Sequence, residues 1–411
     1  MIFIFSSCAL LLFAIIFGKH SISRYISMIY FFFSLGVFII FDFWSLDETS
    51  NFLFVLFNLS LFFITLLPFS KQFTSVDEAY VIDQRLIDFL LFVGVICFVI
   101  NIYIIYTVIS SFLNLTIRID EFKNAGHAGE LINTKIPILL EWYSHVASPL
   151  AYIFIGILFY SLVSNSKVSK FKVFLYFVVT LNLPMYGLLG LSRSHLAQYL
   201  LLMTVFYFSF RHLIQQSIKT LINRFFIFFI GLVSSIIMTI SFVRFSERSS
   251  YSNELISNPI LYTFFDYISQ YFYYSILAFN AASYLYLTNG ISFTTPLLRL
   301  FGATHLYEEN QMIFIEQLGY LSRRFIGLFA TLTIDLHFIG AMFISLSFFL
   351  ICFYSYYNKA ISQFRFILLP IIISPLLMQF ANSWLSYLSF QFAIIYTIIL
   401  FFFRRKNVRV L

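Results

Sequence analysis

The sequence predicts an all-α polytopic integral membrane protein, organised as a single membrane domain over residues 1–411. Hydrophobic residues make up 61% of the chain and charged residues only 10%, whereas a soluble domain of this size carries about 25% charged residues. The mean hydropathy is +0.91. The 58 Phe and 27 Tyr are typical of lipid-facing helices and of aromatic belts at membrane interfaces. A water-soluble core could not bury this much apolar surface.

Apolar runs of membrane-spanning length follow one another along the chain. A helix needs about 20 apolar residues to cross roughly 30 Å of hydrocarbon, and eleven runs approach or exceed that length. We therefore expect about eleven transmembrane helices. The runs are 1–17, 25–41, 51–69, 87–112, 146–165, 171–190, 194–210, 225–243, 338–357, 366–382 and 384–403.

The first apolar run predicts no signal-peptide cleavage, and the positions of the cysteines predict no disulfide bonds. No basic segment precedes run 1–17 and no small-residue cleavage site follows it, so we expect a retained span rather than a removed signal peptide. Cys8, Cys97 and Cys352 all fall in apolar runs, which favours buried hydrophobic side chains over disulfide or redox chemistry.

The basic residues orient the predicted spans. Alternate connections carry sixteen Lys and Arg on one side and nine on the other. The positive-inside rule places the richer set in the cytoplasm, so the C-terminus is expected inside and the N-terminus outside. Two long segments, 113–145 and 244–337, are then external, and long loops are where function is expected. The second includes an aromatic-rich stretch, 262–286, that we expect to form interfacial or re-entrant helices.

The outer basic residues indicate an anionic ligand. Seven of the nine are Arg, whose guanidinium group binds phosphate bidentately and keeps its charge beside a low-dielectric slab. The alternative is that they are interfacial arginines that meet lipid headgroups. Arg193 lies between two apolar runs with almost no loop, where a charge is costly unless it faces a polar cavity or a partner. His195 follows it, as a candidate base or neutral hydrogen-bond partner.

Several familiar chemistries are missing from the sequence. There is no P-loop and no G-x-G-x-x-G motif, which argues against nucleotide-driven transport. No H-E-x-x-H motif or cysteine pair predicts a zinc site. The spans carry almost no charge and show no inverted repeat, which weakens an ion-coupled transporter. The net charge of +7 follows the membrane topology and does not indicate nucleic-acid binding.

Three passages are similar to a known family. The first is Arg118-Ile-Asp-Glu with Gly126 and Gly129, the second Gly187-Leu-Leu-Gly-Leu-Ser-Arg193-Ser, and the third Ile334-Asp335-Leu-His-Phe-Ile-Gly340. Together with the topology they resemble the bacterial oligosaccharide repeat-unit polymerases, or O-antigen polymerases. In the third passage Asp335 and Gly340 match the family pattern, while His337 stands where the family has Gly.

The resemblance implies a GT-C-like glycosyltransferase of lipopolysaccharide and polysaccharide biosynthesis. It would sit in the bacterial inner membrane with its active site facing the periplasm. The donor would be a growing glycan on undecaprenyl pyrophosphate, and the acceptor the non-reducing end of one lipid-linked repeat unit. No cofactor and no metal are expected, membrane lipid is an expected contact, and a chain-length regulator is a candidate partner protein.

The resemblance also assigns roles to residues of this sequence. Pyrophosphate binding falls to Arg193 and the Arg323–Arg324 pair, with Arg244, Arg248 and Arg299 as weaker candidates. The candidate general bases are His195, Asp335 and Glu316. Candidate glycan contacts are Arg118, Tyr271 and Tyr274, although membrane anchoring is the alternative role of the two tyrosines.

Three other functions stay open on the sequence alone. An O-antigen ligase would pass the glycan to lipid A-core rather than to another repeat unit. A lipid-linked oligosaccharide flippase or other transporter would move the substrate without bond formation. A structural or assembly protein of the membrane would have no active site.

Overall fold

The computed structural model describes residues 2–40, 48–77, 80–113, 137–164, 168–189, 193–246, 328–356, 360–378 and 388–406. These residues are mostly helical. The helices are α1 (Ile2–Ile16), α2 (Ile22–Ile40), α3 (Glu48–Leu66), α4 (Gln84–Leu113), α5 (Ile138–Ala147), α6 (Leu150–Val163), α7 (Lys170–Thr180), α8 (Asn182–Leu189), α9 (Arg193–Phe210), α10 (Gln216–Ser246), α11 (Leu328–Tyr356), α12 (Gln363–Leu377) and α13 (Leu388–Phe402). A 3-10 turn, Leu67–Phe69, extends α3.

Every predicted apolar run overlaps at least one of these helices. By length and composition, three helical stretches among the described residues could cross a membrane: Gln84–Thr107, Lys170–Leu189 and Ile339–Tyr356. The helices α5 and α6 meet at a bend of 41°, and together they make a fourth candidate if the pair is one broken span. Shorter apolar stretches of 10–17 residues include Gln363–Leu377 and Phe390–Phe402, and a 15-residue helix is only about 22 Å long. The structure thus gives a helical protein with several helices able to span a bilayer, while the count of eleven stays a prediction.

The apolar surface of these helices matches a lipid environment. On α4, Phe92 is 64% exposed and Tyr106 is 71% exposed, and on α11 Phe343 is 70% exposed. Soluble proteins rarely show contiguous apolar patches of this kind. Lipid tails would cover these faces without the penalty that water would impose.

One compact unit comprises residues 1–74, 241–359 and 373–388. Here α1 packs along α2, and the Ser7 hydroxyl donates to the Ser34 oxygen at 2.7 Å. Tyr30 on α2 is buried and its hydroxyl donates to the Leu376 carbonyl at 2.9 Å. α3 packs against α11.

The other unit comprises residues 75–240, 360–372 and 389–411. Its core is α6, which is buried without interruption from Leu150 to Tyr160. α6 approaches α12 closely at Gly156, where an added Cβ would lie 2.3 Å from the Phe366 carbonyl oxygen. Small residues allow such backbone contact between membrane helices. α4 packs against α5, α7 and α8, and these helices carry most of the site described below.

Two short strand pairs in this second unit were not predicted. β1 (Ser75–Asp77) pairs in parallel with β3 (Ala360–Ser362), and β2 (Tyr80–Ile82) pairs antiparallel with β4 (Arg404–Lys406). The Gln363 side-chain oxygen also accepts a hydrogen bond from the Ile82 amide at 2.8 Å. Strands of three residues are too short to give a periodic signal in the sequence.

Some helices extend beyond the predicted runs. α5 begins inside the predicted external segment 113–145, and α11 begins at Leu328, inside the segment 244–337. Asp335 therefore lies within α11, ahead of its candidate membrane-spanning stretch Ile339–Tyr356, and Arg244 lies in the last turn of α10. An apolar run ends at the first polar residue, but helical backbone tolerates Asp, His and Arg at an end of a span.

Candidate functional site

Contacts among four side chains bring together α5, the end of α8 and the beginning of α9 in the second unit. We call Glu141, His145, Tyr186 and His195 the polar cluster. Glu141 and His145 lie one turn apart on α5, Tyr186 lies in the last turn of α8, and His195 lies in the first turn of α9. The cluster therefore lies where these three apolar helices meet.

His145 links the other members on α5 and α8. Its Nδ1 lies 2.7 Å from the Tyr186 hydroxyl oxygen, a hydrogen-bond distance. Its Nε2 lies 3.6 Å from Oε1 of Glu141, close enough for an ion pair when the imidazole is protonated. When Tyr186 donates to Nδ1, the imidazole proton is on Nε2 and faces the Glu141 carboxylate. The His145 side chain is 38% exposed and that of Glu141 is 21% exposed.

The Tyr186 ring packs against two imidazole rings. It meets that of His145 edge-on at a centroid distance of 5.4 Å, and that of His195 at 5.3 Å with an interplanar angle of 79°. His195 is only 5% exposed, whereas Tyr186 is partly exposed. These two contacts hold the phenol ring, and the hydrogen bond to His145 holds its hydroxyl.

A buried amide network holds the helices that carry the cluster. The Asn101 side-chain amide donates to Oδ1 of Asn182 at 2.9 Å and to the Ser148 hydroxyl at 3.2 Å, and its oxygen accepts from Ser144 at 2.5 Å. The Asn182 amide donates to the Gly94 carbonyl at 2.9 Å. Both asparagines are fully buried. The network ties α4 to α5 and α8, which positions His145 against Tyr186.

Two further hydrogen bonds fix α9. The Tyr152 hydroxyl on α6 donates to Oε1 of Gln198, one turn after His195, at 2.9 Å. The Tyr199 and Thr180 hydroxyl oxygens lie 2.8 Å apart and join α9 to α7. Interhelical hydrogen bonds of this kind are a common link between membrane helices. The beginning of α9, with Arg193 and His195, is thus anchored to two neighbouring helices.

The structure places only part of the predicted site. Arg193 is the first residue of α9, in the same turn as His195. Arg244, in the last turn of α10, and Asp335, in α11, belong to the other unit. The remaining predicted site residues lie outside the described residues: Arg118, Arg248, Tyr271, Tyr274, Arg299, Glu316, Arg323 and Arg324.

Sequence reasoning missed His145, Tyr186 and Glu141. The spacing of Glu141 and His145, four residues apart at the edge of an apolar run, was a signal for a shared helix face. Asn101 and Asn182, uncharged polar residues inside predicted spans, were a signal for interhelical hydrogen bonds. Nothing in the sequence indicated which polar residues of separate helices would meet.

The described residues include no group of three or more His, Cys, Asp or Glu side chains that could hold a metal ion. They offer groups for proton transfer: a carboxylate, an imidazole and a phenol in succession, beside a helix that begins at an arginine. Comparisons with protein-family models, with curated proteins and with solved structures find no match to this chain.

Proposed function

We propose that the protein is a glycosyltransferase of the membrane that polymerises lipid-linked oligosaccharide repeat units, as an O-antigen polymerase does. It transfers the glycan from undecaprenyl pyrophosphate to the non-reducing end of a second lipid-linked unit. The observation that carries the proposal is the beginning of α9. Arg193 opens this helix, and His195 in the same turn packs on the Tyr186 ring that is hydrogen-bonded to His145.

The beginning of α9 suits a pyrophosphate group. The first turn of a helix has backbone N–H groups without intrahelical partners, and the helix dipole places partial positive charge there. These features favour phosphate binding, and the permanent charge of Arg193 adds to them. A leaving pyrophosphate gains negative charge at its bridging oxygen as the glycosidic bond breaks, and preorganised cations stabilise that charge without a metal.

The polar cluster has the chemical groups that activation of the acceptor hydroxyl requires. Its imidazole, phenol and carboxylate groups are of the kinds that remove a proton from a hydroxyl group during bond formation. Pyrophosphate binding and proton acceptance would then lie at the same end of α9. Arg323, Arg324 and the weaker candidates Arg244, Arg248 and Arg299 stay sequence-based candidates for pyrophosphate binding, and Arg118, Tyr271 and Tyr274 stay candidates for glycan contacts.

We place the protein in a bacterial inner membrane with eleven spans and a GT-C-like arrangement. The segment 113–145 and the α8–α9 junction both fall on the predicted outer side, so the polar cluster faces the periplasm. The polyprenyl tails lie along the exposed apolar helix faces. A chain-length regulator is a proposed partner protein.

The test is extension of a defined lipid-linked repeat unit by the purified protein, followed by gel separation of the products. The wild type is expected to form a ladder. Arg193→Ala is expected to lower the extension rate about 100-fold, the usual cost of losing one electrostatic contact to a developing charge. Arg211→Ala is the matched control, because Arg211 follows the opposite end of the same helix and its guanidinium lies over Phe208. That variant should extend normally.

Two results would contradict the proposal. One is wild-type protein that forms no longer chains although it binds the lipid-linked glycan. The other is reconstituted protein that moves the lipid-linked glycan across liposomes without joining units, which would identify a transporter.

A further inference from the structure

We infer that Glu141, His145 and Tyr186 form an acid–base triad in which the Tyr186 hydroxyl takes the proton from the acceptor hydroxyl. The inference rests on the proposed function and deepens it, because it names the group that activates the acceptor. It assigns this role to none of the three bases that the sequence suggested, His195, Asp335 and Glu316.

The order of the contacts supports this assignment. The Tyr186 hydroxyl lies 2.7 Å from Nδ1 of His145, so the imidazole can accept the phenol proton directly. Nε2 of His145 lies 3.6 Å from the Glu141 carboxylate. That distance is too long for a hydrogen bond, but an imidazolium at this position would be stabilised by the negative charge. A reacting hydroxyl, a base and a group that orients the base form the general arrangement of an activated triad.

The proton and the electrons balance in one concerted step. The acceptor hydroxyl forms a C–O bond to the anomeric carbon of the donor, and the bond from that carbon to the pyrophosphate oxygen breaks. The electron pair of the broken bond leaves with the lipid pyrophosphate. The acceptor proton moves to the Tyr186 oxygen while the phenol proton moves to Nδ1 of His145. Tyr186 ends neutral, and His145 ends as an imidazolium opposite Glu141.

The exposure of each side chain agrees with its role in this proton transfer. Tyr186 is partly exposed and can meet an acceptor. His145 is 38% exposed and can release its proton to water before the next cycle. His195 is only 5% exposed, and its ring packs edge-on against Tyr186. His195 is therefore a positioning residue that holds the phenol ring.

The measurement is the rate of extension of a lipid-linked repeat unit as a function of acceptor concentration. Tyr186→Phe keeps the ring that packs against the two imidazoles and removes the hydroxyl. We expect kcat to fall about 100-fold or more, the typical contribution of general acid–base catalysis, with KM for the acceptor within about twofold of the wild type. A hydroxyl with a merely structural role would leave kcat unchanged in protein that folds.

The matched control is Tyr143→Phe. Tyr143 lies on α5 two residues before His145, and its hydroxyl donates to the Val93 carbonyl at 3.0 Å. This substitution also removes one phenol hydrogen bond of α5 but does not touch the triad. Its kcat should match that of the wild type.

A second pair of variants tests the base independently. His145→Gln keeps a side chain that can hydrogen-bond to Tyr186 but cannot take up its proton, so kcat should fall as in Tyr186→Phe. His145→Ala should regain at least tenfold in rate when imidazole is added, because the exposed site admits the small base. Glu141→Gln should lower kcat less than either His145 variant does.

The outcomes separate this inference from the proposed function. If the wild type extends the substrate and Tyr186→Phe or His145→Gln does so at the same kcat, the triad is wrong and the glycosyltransferase proposal stands. Absence of imidazole rescue in folded His145→Ala also contradicts the triad. If the wild type extends nothing, the proposed function is wrong and the triad's role in it is overturned as well.

Discussion

The side-chain amide of Asn101 donates to Oδ1 of Asn182 across 2.9 Å, and neither residue is exposed. Asn101 lies in the middle of α4 and Asn182 opens α8, so this bond joins two helices in an apolar interior. A buried polar group without a partner costs free energy, and each asparagine satisfies the other. The pair fixes α8, which carries Tyr186, to α4.

Asn101→Leu should therefore lower the free energy of unfolding by about 2 kcal/mol. Interhelical hydrogen bonds in membranes contribute about 0.6 kcal/mol on average, but this substitution also leaves the Asn182 oxygen and the Ser144 hydroxyl without their Asn101 partner. The measurement is reversible unfolding in mixed micelles. Ser60→Ala is the control, since the exposed Ser60 hydroxyl donates only to the Leu56 carbonyl of its own helix.

The double variant Asn101→Leu with Asn182→Leu gives a sharper check. Removing both partners leaves fewer orphaned groups than removing one, so the combined loss should be smaller than the sum of the two single losses. A strictly additive result would mean that the two side chains act independently.

Gly156→Ala should destabilise the protein, because the new methyl group would lie 2.3 Å from the Phe366 carbonyl oxygen and 2.6 Å from the Ile367 Cα. Both contacts are backbone, so relief requires α6 and α12 to move apart. Overpacking of this kind costs about 1–3 kcal/mol, which would appear as a lower unfolding midpoint.

Gly231→Ala is the matched control for Gly156→Ala. Gly231 lies in α10, and an added Cβ would meet no atom within 4 Å. Since Ala is favoured over Gly in a helix by roughly 0.5–1 kcal/mol, this variant should be as stable as the wild type or more stable. Equal destabilisation by the two substitutions would contradict the close approach of α6 to α12.

Hydrophobic run length predicted where the helices lie, because a span must exclude polar residues over a fixed distance. It could not predict the strand pairs, since β1 meets β3 from a segment more than 200 residues away and short-range patterns hold no information on such pairing. Nor could it predict that α5 begins at Ile138, because Glu141 and His145 interrupt the apolar run.

The candidate site was predicted only at Arg193 and His195. Their charge and position at a junction of two apolar runs are visible in the sequence. His145 and Tyr186 come from other helices, and their contact with each other depends on how those helices rotate. In a membrane protein the lipid-facing and interior-facing sides are both apolar, so hydrophobic periodicity says little about which side of a helix faces its neighbours.

The predicted orientation can be tested with single cysteines in a variant that lacks Cys8, Cys97 and Cys352. Pro137 precedes α5 and Gln216 opens α10, and both positions are exposed. The positive-inside rule places Pro137 outside and Gln216 inside. A membrane-impermeant maleimide added to intact spheroplasts should label Pro137→Cys but label Gln216→Cys only after permeabilisation. The reverse pattern would invert the topology and place the polar cluster in the cytoplasm.

A bacterial strain that lacks this chain distinguishes a polymerase from a ligase. The two enzymes would use the same pyrophosphate-linked donor and differ in the acceptor, so the lipopolysaccharide of the strain reveals which acceptor was lost. Loss of a polymerase should leave core that bears one repeat unit, whereas loss of a ligase leaves bare core while polymer accumulates on the lipid carrier. We expect the former. A plasmid copy of the wild type or of Arg211→Ala should restore the long chains, whereas a copy of Arg193→Ala should not. The reason is that Arg193 lies at the beginning of α9, where the pyrophosphate site is proposed, and Arg211 follows the opposite end of this helix.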